Sequence, residues 1–237
     1  LQFPNSQRQT FSGSWNTMSE ELLKDPEFGK FLERNKFVQE IVPQLISAEQ
    51  SEQEKLIAIS DHLTKMVKWN GSYSIYPTQS LEKVYNGGKG NLADMNFLLI
   101  AFLREAGFDC HPVVGSTRGS GFVNPGNPVM YKLNYLSALV KTADKEFLMD
   151  ISDPSLPFGF LPINGMNFRG WAVIPNNASR WVDIFNTIPT TETAMITAKM
   201  EDDHMLSSIQ KTTKGYQSSL IKNKIKSTGE DKYKQEM

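Results

Sequence analysis

The residue types that most often carry enzyme chemistry are scarce in this sequence. Its 237 residues include one cysteine, Cys110, and three histidines. His111 directly follows Cys110, and neighbouring side chains at the start of a β-strand point to opposite faces, so these two cannot form a nucleophile–base pair with each other. We expect Cys110 to be a small buried residue. A single cysteine also excludes a disulfide or a cysteine-based zinc site within this sequence.

The remaining titratable candidates favour structural roles. His62 and His204 each follow an aspartate, but Asp61 and His62 lie on a predicted helix, where adjacent residues do not face each other. No His-x-x-x-His spacing occurs, so no metal site is expected. Asp150 and Asp153 could form a carboxylate pair, although Asp153 precedes a proline and is equally typical of a turn, which we favour.

The strongest local motif is Gly90-Asn91-Leu92-Ala93-Asp94, at the entrance of an apolar helix predicted over Ala93–Ala106 and ended by Gly107. A helix N-terminus carries unpaired N–H groups and a partial positive charge, which can lower a thiol pKa. Because the helix is apolar on nearly all sides, we expect it to be central and covered. The glycine-rich segment before it lacks the spacing of a phosphate-binding loop, so nucleotide binding is not expected.

The elements around this motif change type along the chain. Capping-box patterns predict helix starts at Thr17 and Ser51. The apolar stripe predicted after the second start consists of Leu56, Ile59, Leu63, Met66 and Val67.

Strand patterns follow the central helix. The predicted strands are Pro112–Ser116, Leu133–Lys141, Glu146–Ile151, a hairpin of Arg169–Ile174 with Arg180–Phe185, and a second hairpin of Thr191–Met200 with Met205–Thr213 across a turn at Asp202-Asp203. Helices first and antiparallel strands later predict an α+β fold. From Lys211 onward the sequence is lysine-rich, without apolar periodicity after Ile225, and this favours a solvated edge or frayed tail.

At this arrangement the chain resembles the transglutaminase-like superfamily, thiol enzymes with a papain-like core. Their pattern is Gly-x-Cys-x-Asp opening an apolar helix that ends near Arg-x-Ala-Gly, followed by a histidine strand and an aspartate strand. The helix end is matched here by Arg104-Glu105-Ala106-Gly107. Carried over residue by residue, the cysteine position falls on Leu92, the histidine position on Tyr135 and the aspartate position on Asp150.

The resemblance therefore implies a degenerate triad. Leucine has no nucleophilic atom, and a phenol with a pKa of about 10 is a poor general base near neutrality. We expect no catalytic residue and no cofactor, and a noncatalytic binding or scaffold module. The alternative is a cysteine protease or transglutaminase-type acyl-transfer enzyme with an unrecognised nucleophile such as Cys110. For a binding role, with a peptide, glycan or protein as partner, the candidate residues are Asp150, Tyr135, Asn134 and Trp69.

Other segments resemble one branch of the superfamily, large bacterial cell-envelope or secreted proteins in which this core is flanked by β modules. Examples are Asp25–Lys30, Val67–Gly71 and Phe158–Pro162. The resemblance implies a linker over residues 1–16, the core over 17–187 and the start of a C-terminal β module over 188–237. It also implies a periplasmic, cell-surface or secreted location.

Charge and hydropathy restrict the classes of partner that we expect for this chain. Lys and Arg total 25 against 26 Asp and Glu, and the net charge of −1 provides no basic field to attract nucleic acid. No apolar run reaches the roughly 18 residues that a membrane-spanning helix requires. We expect neither a nucleic-acid partner nor a membrane span in this sequence.

Overall fold

The computed structural model of the chain describes residues 13–185, 189–202 and 204–235. The described residues form two compact units: 13–153 together with Leu161–Phe185, and Pro154–Phe160 together with 189–202 and 204–235. The α-helices are α1 (Trp15–Lys24), α2 (Lys36–Leu45), α3 (Glu52–Met66), α4 (Leu81–Gly87), α5 (Leu92–Glu105), α6 (Tyr216–Thr228) and α7 (Glu230–Gln235). The strands are β1 (Lys68–Trp69), β2 (Lys89–Gly90), β3 (Asp109–Gly115), β4 (Tyr135–Lys141), β5 (Glu146–Met149), β6 (Phe168–Ala172), β7 (Arg180–Ile184), β8 (Thr191–Glu201) and β9 (His204–Lys214).

Side-chain caps set the starts of the first and third helices. α1 begins at Trp15 because Ser14 Oγ accepts a hydrogen bond from the Thr17 N–H at 3.2 Å. The predicted start at Thr17 was therefore wrong, since Ser14 provides the cap one turn earlier. The start predicted at Ser51 is confirmed: Ser51 Oγ accepts from the Glu54 N–H at 3.3 Å, and the Glu54 carboxylate accepts from the Ser51 N–H at 2.8 Å.

The apolar stripe of α3 is confirmed except at its end. Leu56, Ile59 and Leu63 are buried, as is Val67, the residue that caps the helix. Met66 is 41% exposed, which corrects its assignment to the stripe. The helix ends at Met66, and the chain then turns so that Val67 faces the core in its place.

α5 is buried along most of its length, as its composition predicts. Its end is a Schellman motif, in which the Phe108 N–H donates to the Leu103 carbonyl and the Gly107 N–H donates to the Arg104 carbonyl, both at 3.0 Å. Gly107 has a φ of +91°, a conformation that a side chain disfavours. This glycine ends the helix and directs the chain into β3.

The main sheet has the strand order β5-β4-β3-β6-β7, and each neighbouring pair is antiparallel. The α+β prediction is thereby confirmed, including the predicted hairpin of β6 with β7, which pairs Trp171 with Trp181. Gly115 at the end of β3 lies opposite Tyr135 at the start of β4. The hairpin from β4 to β5 brings Asp150 back toward the same end, because Asp150 directly follows β5.

The second unit contains the other predicted hairpin. β8 and β9 pair antiparallel, with Ile196 opposite Ile209; Asp203 of the predicted turn lies outside the described residues. The sequence predicts a solvated edge or frayed tail from Lys211 onward. Most side chains there are exposed, but the segment is not frayed, because β9 continues to Lys214 and α6 and α7 follow. Residues 217–228 contain no Gly or Pro. A helix can therefore form there although the apolar residues do not recur at helical spacing. The domain boundaries at residues 16 and 187 remain predictions.

No helix in the described parts of the chain combines the length and the apolar character that crossing a membrane would need.

Candidate functional site

The N-terminus of α5 is built by the polar residues of the glycine motif. The Asp94 N–H donates to Asn91 Oδ1 at 2.7 Å, and Asp94 Oδ2 accepts from the Asn91 N–H at 2.8 Å. Thr78 donates to the same carboxylate through its N–H at 2.8 Å and its hydroxyl at 2.7 Å. A Cβ at Gly90 would lie 2.6 Å from the Asp94 Cβ, so this close approach requires glycine. Gly90 and Asp94 thus have structural roles in starting the helix.

Leu92, the first residue of α5, is fully buried. Its N–H donates to the Ser72 carbonyl at 3.1 Å, which satisfies one of the unpaired donors of the helix start. Its side chain belongs to a hydrophobic cluster that includes Tyr135, Val113 and Ile184. The side chain at this helix N-terminus is therefore part of the core.

Tyr135 and Asp150, which the family resemblance pairs, are in direct contact. The Tyr135 hydroxyl donates to Asp150 Oδ2 at 2.7 Å, and both side chains are buried. Because Tyr135 and Leu92 share one cluster, the structure brings together all three positions to which the sequence analysis assigned the triad.

Asn96 holds the other carboxylate oxygen, and the sequence analysis missed it. Its Nδ2 donates to Asp150 Oδ1 at 3.1 Å and to the Leu136 carbonyl at 2.9 Å, while its Oδ1 accepts from the Ile151 N–H at 3.2 Å. The Ser152 N–H also donates to Asp150 Oδ1, at 2.8 Å. A lone amide within an otherwise apolar helical run could have indicated this role, since buried polar groups need partners.

Burial raises the pKa of the Asp150 carboxyl above its usual range, because the surroundings disfavour the charged form. Hydrogen bonds from Ser152, Tyr135 and Asn96 oppose that shift, since they stabilise the carboxylate. The desolvation effect is the larger, so Asp150 binds a proton more readily here than at a protein surface.

Gly165 covers the Tyr135 ring, a second feature that the sequence analysis missed. A Cβ at Gly165 would lie 2.1 Å from Tyr135 Cζ and 2.4 Å from its hydroxyl oxygen, so the glycine backbone packs directly on the phenol. The Gly165 N–H donates to the Pro162 carbonyl at 2.9 Å, which fixes this turn. With Leu92 and Tyr135 both fully buried, these side chains are closed off by packing.

Cys110 lies in β3 and is buried, as predicted. Burial raises the pKa of its thiol to about 12, which suppresses the thiolate that reacts as a nucleophile. On the neighbouring His111, Nε2 lies 2.7 Å from Asp109 Oδ1, and burial lowers the pKa of the imidazole.

The other proposed binding residues have their polar atoms engaged locally. Asn134 Oδ1 accepts from the Thr117 N–H at 2.8 Å, and its Nδ2 donates to the hydroxyls of Thr117 at 3.1 Å and Ser120 at 2.9 Å. Trp69 Nε1 donates to the Ser72 carbonyl at 3.0 Å, and its ring lies 4.9 Å from that of Tyr73. Their assignment as binding residues remains a prediction.

Three further candidates, two histidines and an aspartate, occupy other elements of the fold. His62 Nε2 lies 2.7 Å from the Tyr85 hydroxyl, and His204 is exposed at the start of β9 in the second unit. Asp153 is half-buried in the loop after β5. Over residues 13–185, 189–202 and 204–235, no group of three or more His, Cys, Asp or Glu side chains could hold a metal ion.

Comparison with known proteins adds the family and the fold. The sequence profile of the transglutaminase-like superfamily matches residues 39–184, more than half of the chain. No curated protein matches the chain. Among solved structures, the chain is similar to a candidate protease from Parabacteroides distasonis ATCC 8503, with 14% identity, a TM-score of 0.50 and coverage of 71% of this chain and 30% of that one.

Two further solved structures are similar at lower TM-scores. A candidate cysteine protease from Cytophaga hutchinsonii shares 14% identity with a TM-score of 0.41, covering 80% of this chain and 56% of that one. An arylamine N-acetyltransferase from Bacillus cereus with a Cys-His-Glu catalytic triad shares 11% identity with a TM-score of 0.31, covering 83% of this chain and 78% of that one.

The Parabacteroides likeness concerns the fold alone, since the two sequences are only 14% identical, and the chain spans 30% of that protein. The profile match covers the central helix, the five strands of the main sheet and the Leu92, Tyr135 and Asp150 positions. The chain belongs to the transglutaminase-like superfamily.

Proposed function

We propose that this chain is a noncatalytic member of the superfamily and serves as a scaffold module. One observation carries the proposal: Leu92 is fully buried at the N-terminus of α5, where the family resemblance implies a cysteine. A leucine side chain has neither a lone pair for attack nor a proton to transfer.

The contact between Tyr135 and Asp150 supports the same conclusion. The phenol is the donor in that hydrogen bond, whereas a general base must accept a proton from the nucleophile. In this proposal Asp150 no longer orients a base and instead stabilises the packed core.

The closure of the site favours a scaffold over a ligand cleft at these residues. Gly165 packs on the Tyr135 ring, and neither Leu92 nor Tyr135 is accessible to solvent. A peptide or glycan could contact Leu92 or Tyr135 only after this packing had opened.

An enzyme that uses Cys110 is the weaker alternative. The thiol is buried, its pKa is raised to about 12, and the histidine beside it lies on the opposite face of the strand.

The direct test is an activity assay of the wild-type chain. Amine incorporation into casein and into glutamine-containing peptides would be measured together with amide hydrolysis, with Cys110→Ala as the control. We expect no turnover above that control. Turnover that Asp150→Asn or Cys110→Ala abolishes would contradict the proposal.

A second test asks whether a thiol alone restores chemistry. Leu92→Cys would be compared with Leu92→Ala in the same assays, after circular dichroism and thermal melting establish that both variants fold. We expect neither to turn over substrate, because the base position still carries Tyr135. Thiol-dependent turnover in Leu92→Cys alone would show that Tyr135 does not block catalysis.

We also propose a periplasmic, cell-surface or secreted location, which rests on the family resemblance. Fractionation of producing cells, with the chain detected by antibody, tests this location, and recovery in the cytoplasm alone would contradict it.

A further inference from the structure

A separate pocket lies in the first unit, between the loop that follows β3, the start of β6 and the end of β7. Its volume is about 580 Å³, within the usual range of roughly 300–1,000 Å³ for ligand sites. The described residues that line it are Phe122, Val123, Pro125, Asn167, Phe168, Arg169, Asp183 and Phe185. Leu92, Tyr135 and Asp150 are not among them.

Three phenylalanines give the pocket its character. Phe122, Phe168 and Phe185 are 64%, 72% and 56% exposed, and the rings of Phe122 and Phe168 meet edge to face at 5.1 Å. Grouped exposed rings of this kind mark interaction sites more often than scattered apolar residues do. An apolar group that entered here would contact aromatic surface from all three.

The backbone at Phe168 is strained in a way that core packing does not explain. Its φ is +68°, a conformation that is an outlier for a bulky side chain. Its ladder partner Ile184 is buried, yet the Phe168 ring remains in solvent. Strain of this kind is concentrated at functional sites, where it holds a side chain in a required position.

Asn167 supplies a polar group in the pocket wall. It is only 5% exposed, and its Nδ2 donates to the Gly121 carbonyl at 2.9 Å and to both oxygens of Ser116 at 3.1 and 3.2 Å. These acceptors fix which side of the amide carries the nitrogen. Among the described residues none donates a hydrogen bond to Asn167 Oδ1, and this oxygen is not fully buried, so a side chain fixed through its amide nitrogen presents one accessible acceptor.

The only charged groups among the described lining residues neutralise each other. Arg169 Nε donates to Asp183 Oδ1 at 2.9 Å. The pocket therefore selects neither a cation nor an anion, and its chemistry suits an uncharged ligand with an apolar group and an N–H donor. A glycan fits less well, because its hydroxyl groups need many polar partners and the walls are mostly apolar.

We propose that this pocket binds a peptide segment. An aromatic or large aliphatic side chain of the peptide inserts among Phe122, Phe168 and Phe185, and a peptide N–H donates to Asn167 Oδ1. The proposal goes beyond the scaffold function and does not depend on the absence of catalysis, since none of these residues belongs to the Leu92 site.

The test is a titration of ¹⁵N-labelled protein with the capped tripeptide acetyl-Gly-Phe-Gly-amide. We expect saturable shifts of the amide signals of residues 167–169, with weak affinity, a Kd on the order of 1 mM for so small a ligand. Phe122→Ala should weaken binding about tenfold. Tyr131→Ala, which removes a 78% exposed ring that does not line the pocket, should leave the affinity unchanged.

A change in the ligand tests the role of Asn167 without disturbing its structural hydrogen bonds. The matched depsipeptide, in which an ester oxygen replaces the phenylalanine N–H, should bind about tenfold more weakly, the effect of losing one hydrogen bond to Asn167 Oδ1. Equal affinity for the two ligands would overturn the assignment of Asn167 Oδ1.

Other outcomes would overturn the pocket as a peptide site. One is the absence of saturable shifts up to about 10 mM peptide, since a titration of this kind measures dissociation constants up to about that value. The other is saturation by chitotriose in place of the peptide. Self-association in sedimentation that Phe122→Ala abolishes would instead identify a second copy as the occupant. If Phe122→Ala did not fold, Phe185→Ala would provide the same comparison. None of these measurements involves turnover, so their failure is distinguishable from failure of the scaffold proposal.

Discussion

The Leu92 site (Leu92, Tyr135 and Asp150) and the pocket lined by Phe122, Phe168 and Phe185 lie in the same unit. They differ in whether their polar and aromatic groups are packed and hydrogen-bonded or exposed. At the Leu92 site, Tyr135 is fully buried and both oxygens of Asp150 accept hydrogen bonds. In the pocket, the rings are exposed and an accessible oxygen of the Asn167 amide lacks a donor among the described residues. Satisfied hydrogen bonds and close packing mark a group that stabilises the fold, whereas exposure and an unused acceptor mark one that can bind.

The backbone conformation also differs between the two sites. Gly165 is required because the Tyr135 ring leaves no room for a side chain. Phe168 keeps a large ring at a positive φ although glycine would fit that conformation more easily. Glycine at position 165 allows close packing. Phenylalanine at position 168 adopts a less stable backbone conformation, which fixes the position of its ring.

The largest effect that we expect comes from Asp150→Ala. It removes the carboxylate that accepts hydrogen bonds from the Tyr135 hydroxyl and the Ser152 N–H, and it removes one of the two acceptors of Asn96 Nδ2. The free energy of unfolding should fall by about 3 kcal/mol or more in urea denaturation.

Asp150→Asn is the matched control for that change. It keeps the volume and one acceptor oxygen, and it should cost about half as much or less. A loss below about 0.5 kcal/mol for Asp150→Ala would mean that the carboxyl group is not part of the structural core.

Gly165→Ala should have the next largest effect. The added methyl would lie 2.1 Å from Tyr135 Cζ, and the phenol cannot withdraw because its hydroxyl is bound to Asp150. Overpacking of this kind costs about 1–3 kcal/mol of unfolding free energy.

Gly119→Ala is its control, because a Cβ at that position would meet no atom within 4 Å. The Gly119 variant should change stability by less than about 0.5 kcal/mol. Equal effects of the two variants would show that Gly165 does not close the site.

Tyr135→Phe should cost about 1–2 kcal/mol near neutral pH, because it removes the hydroxyl that donates to Asp150. The cost should grow with pH. Since the pKa of Asp150 is raised in the folded state, its contribution is fully present below about pH 4, the usual aspartate pKa, and is lost as pH rises through the folded pKa.

Without the Tyr135 hydroxyl, the pKa of Asp150 in the folded state rises further. The loss of unfolding free energy therefore continues to higher pH in Tyr135→Phe. Urea denaturation of Tyr135→Phe and wild type across acidic and neutral pH measures the difference. A cost that decreased as pH rose would reverse the inferred direction of the Asp150 pKa shift.

The smallest effect belongs to the pocket. Phe122→Ala should change the free energy of unfolding by about 0.5 kcal/mol or less, since its ring is 64% exposed. Phe97→Ala, which removes a fully buried ring from α5, should cost about 3–5 kcal/mol in the same thermal or urea experiment. A comparable loss for Phe122 would make its ring part of the core.

Local features of the fold were predictable because their causes lie within a few residues. The capping box at Ser51, the buried run of α5, its end at Gly107 and the β6–β7 hairpin each depend on neighbouring side chains or on hydrophobic periodicity. The start of α1 was misplaced because two adjacent segments both carry capping residues, and only the structure selects Ser14. The helical structure after Lys214 was missed because α6 lacks the apolar stripe on which helix prediction relies.

By itself, the sequence determined the residue types at Leu92, Tyr135 and Asp150, the apolar helix that begins beside Leu92, and the antiparallel strands that begin with Tyr135 and end just before Asp150. Only the tertiary structure decided that these positions are packed shut and that a pocket lies elsewhere. Asn96 reaches Asp150 across 54 residues of sequence, and Gly165 meets Tyr135 from a separate turn. Such contacts depend on how distant segments pack, which neither periodicity nor spacing along the chain encodes.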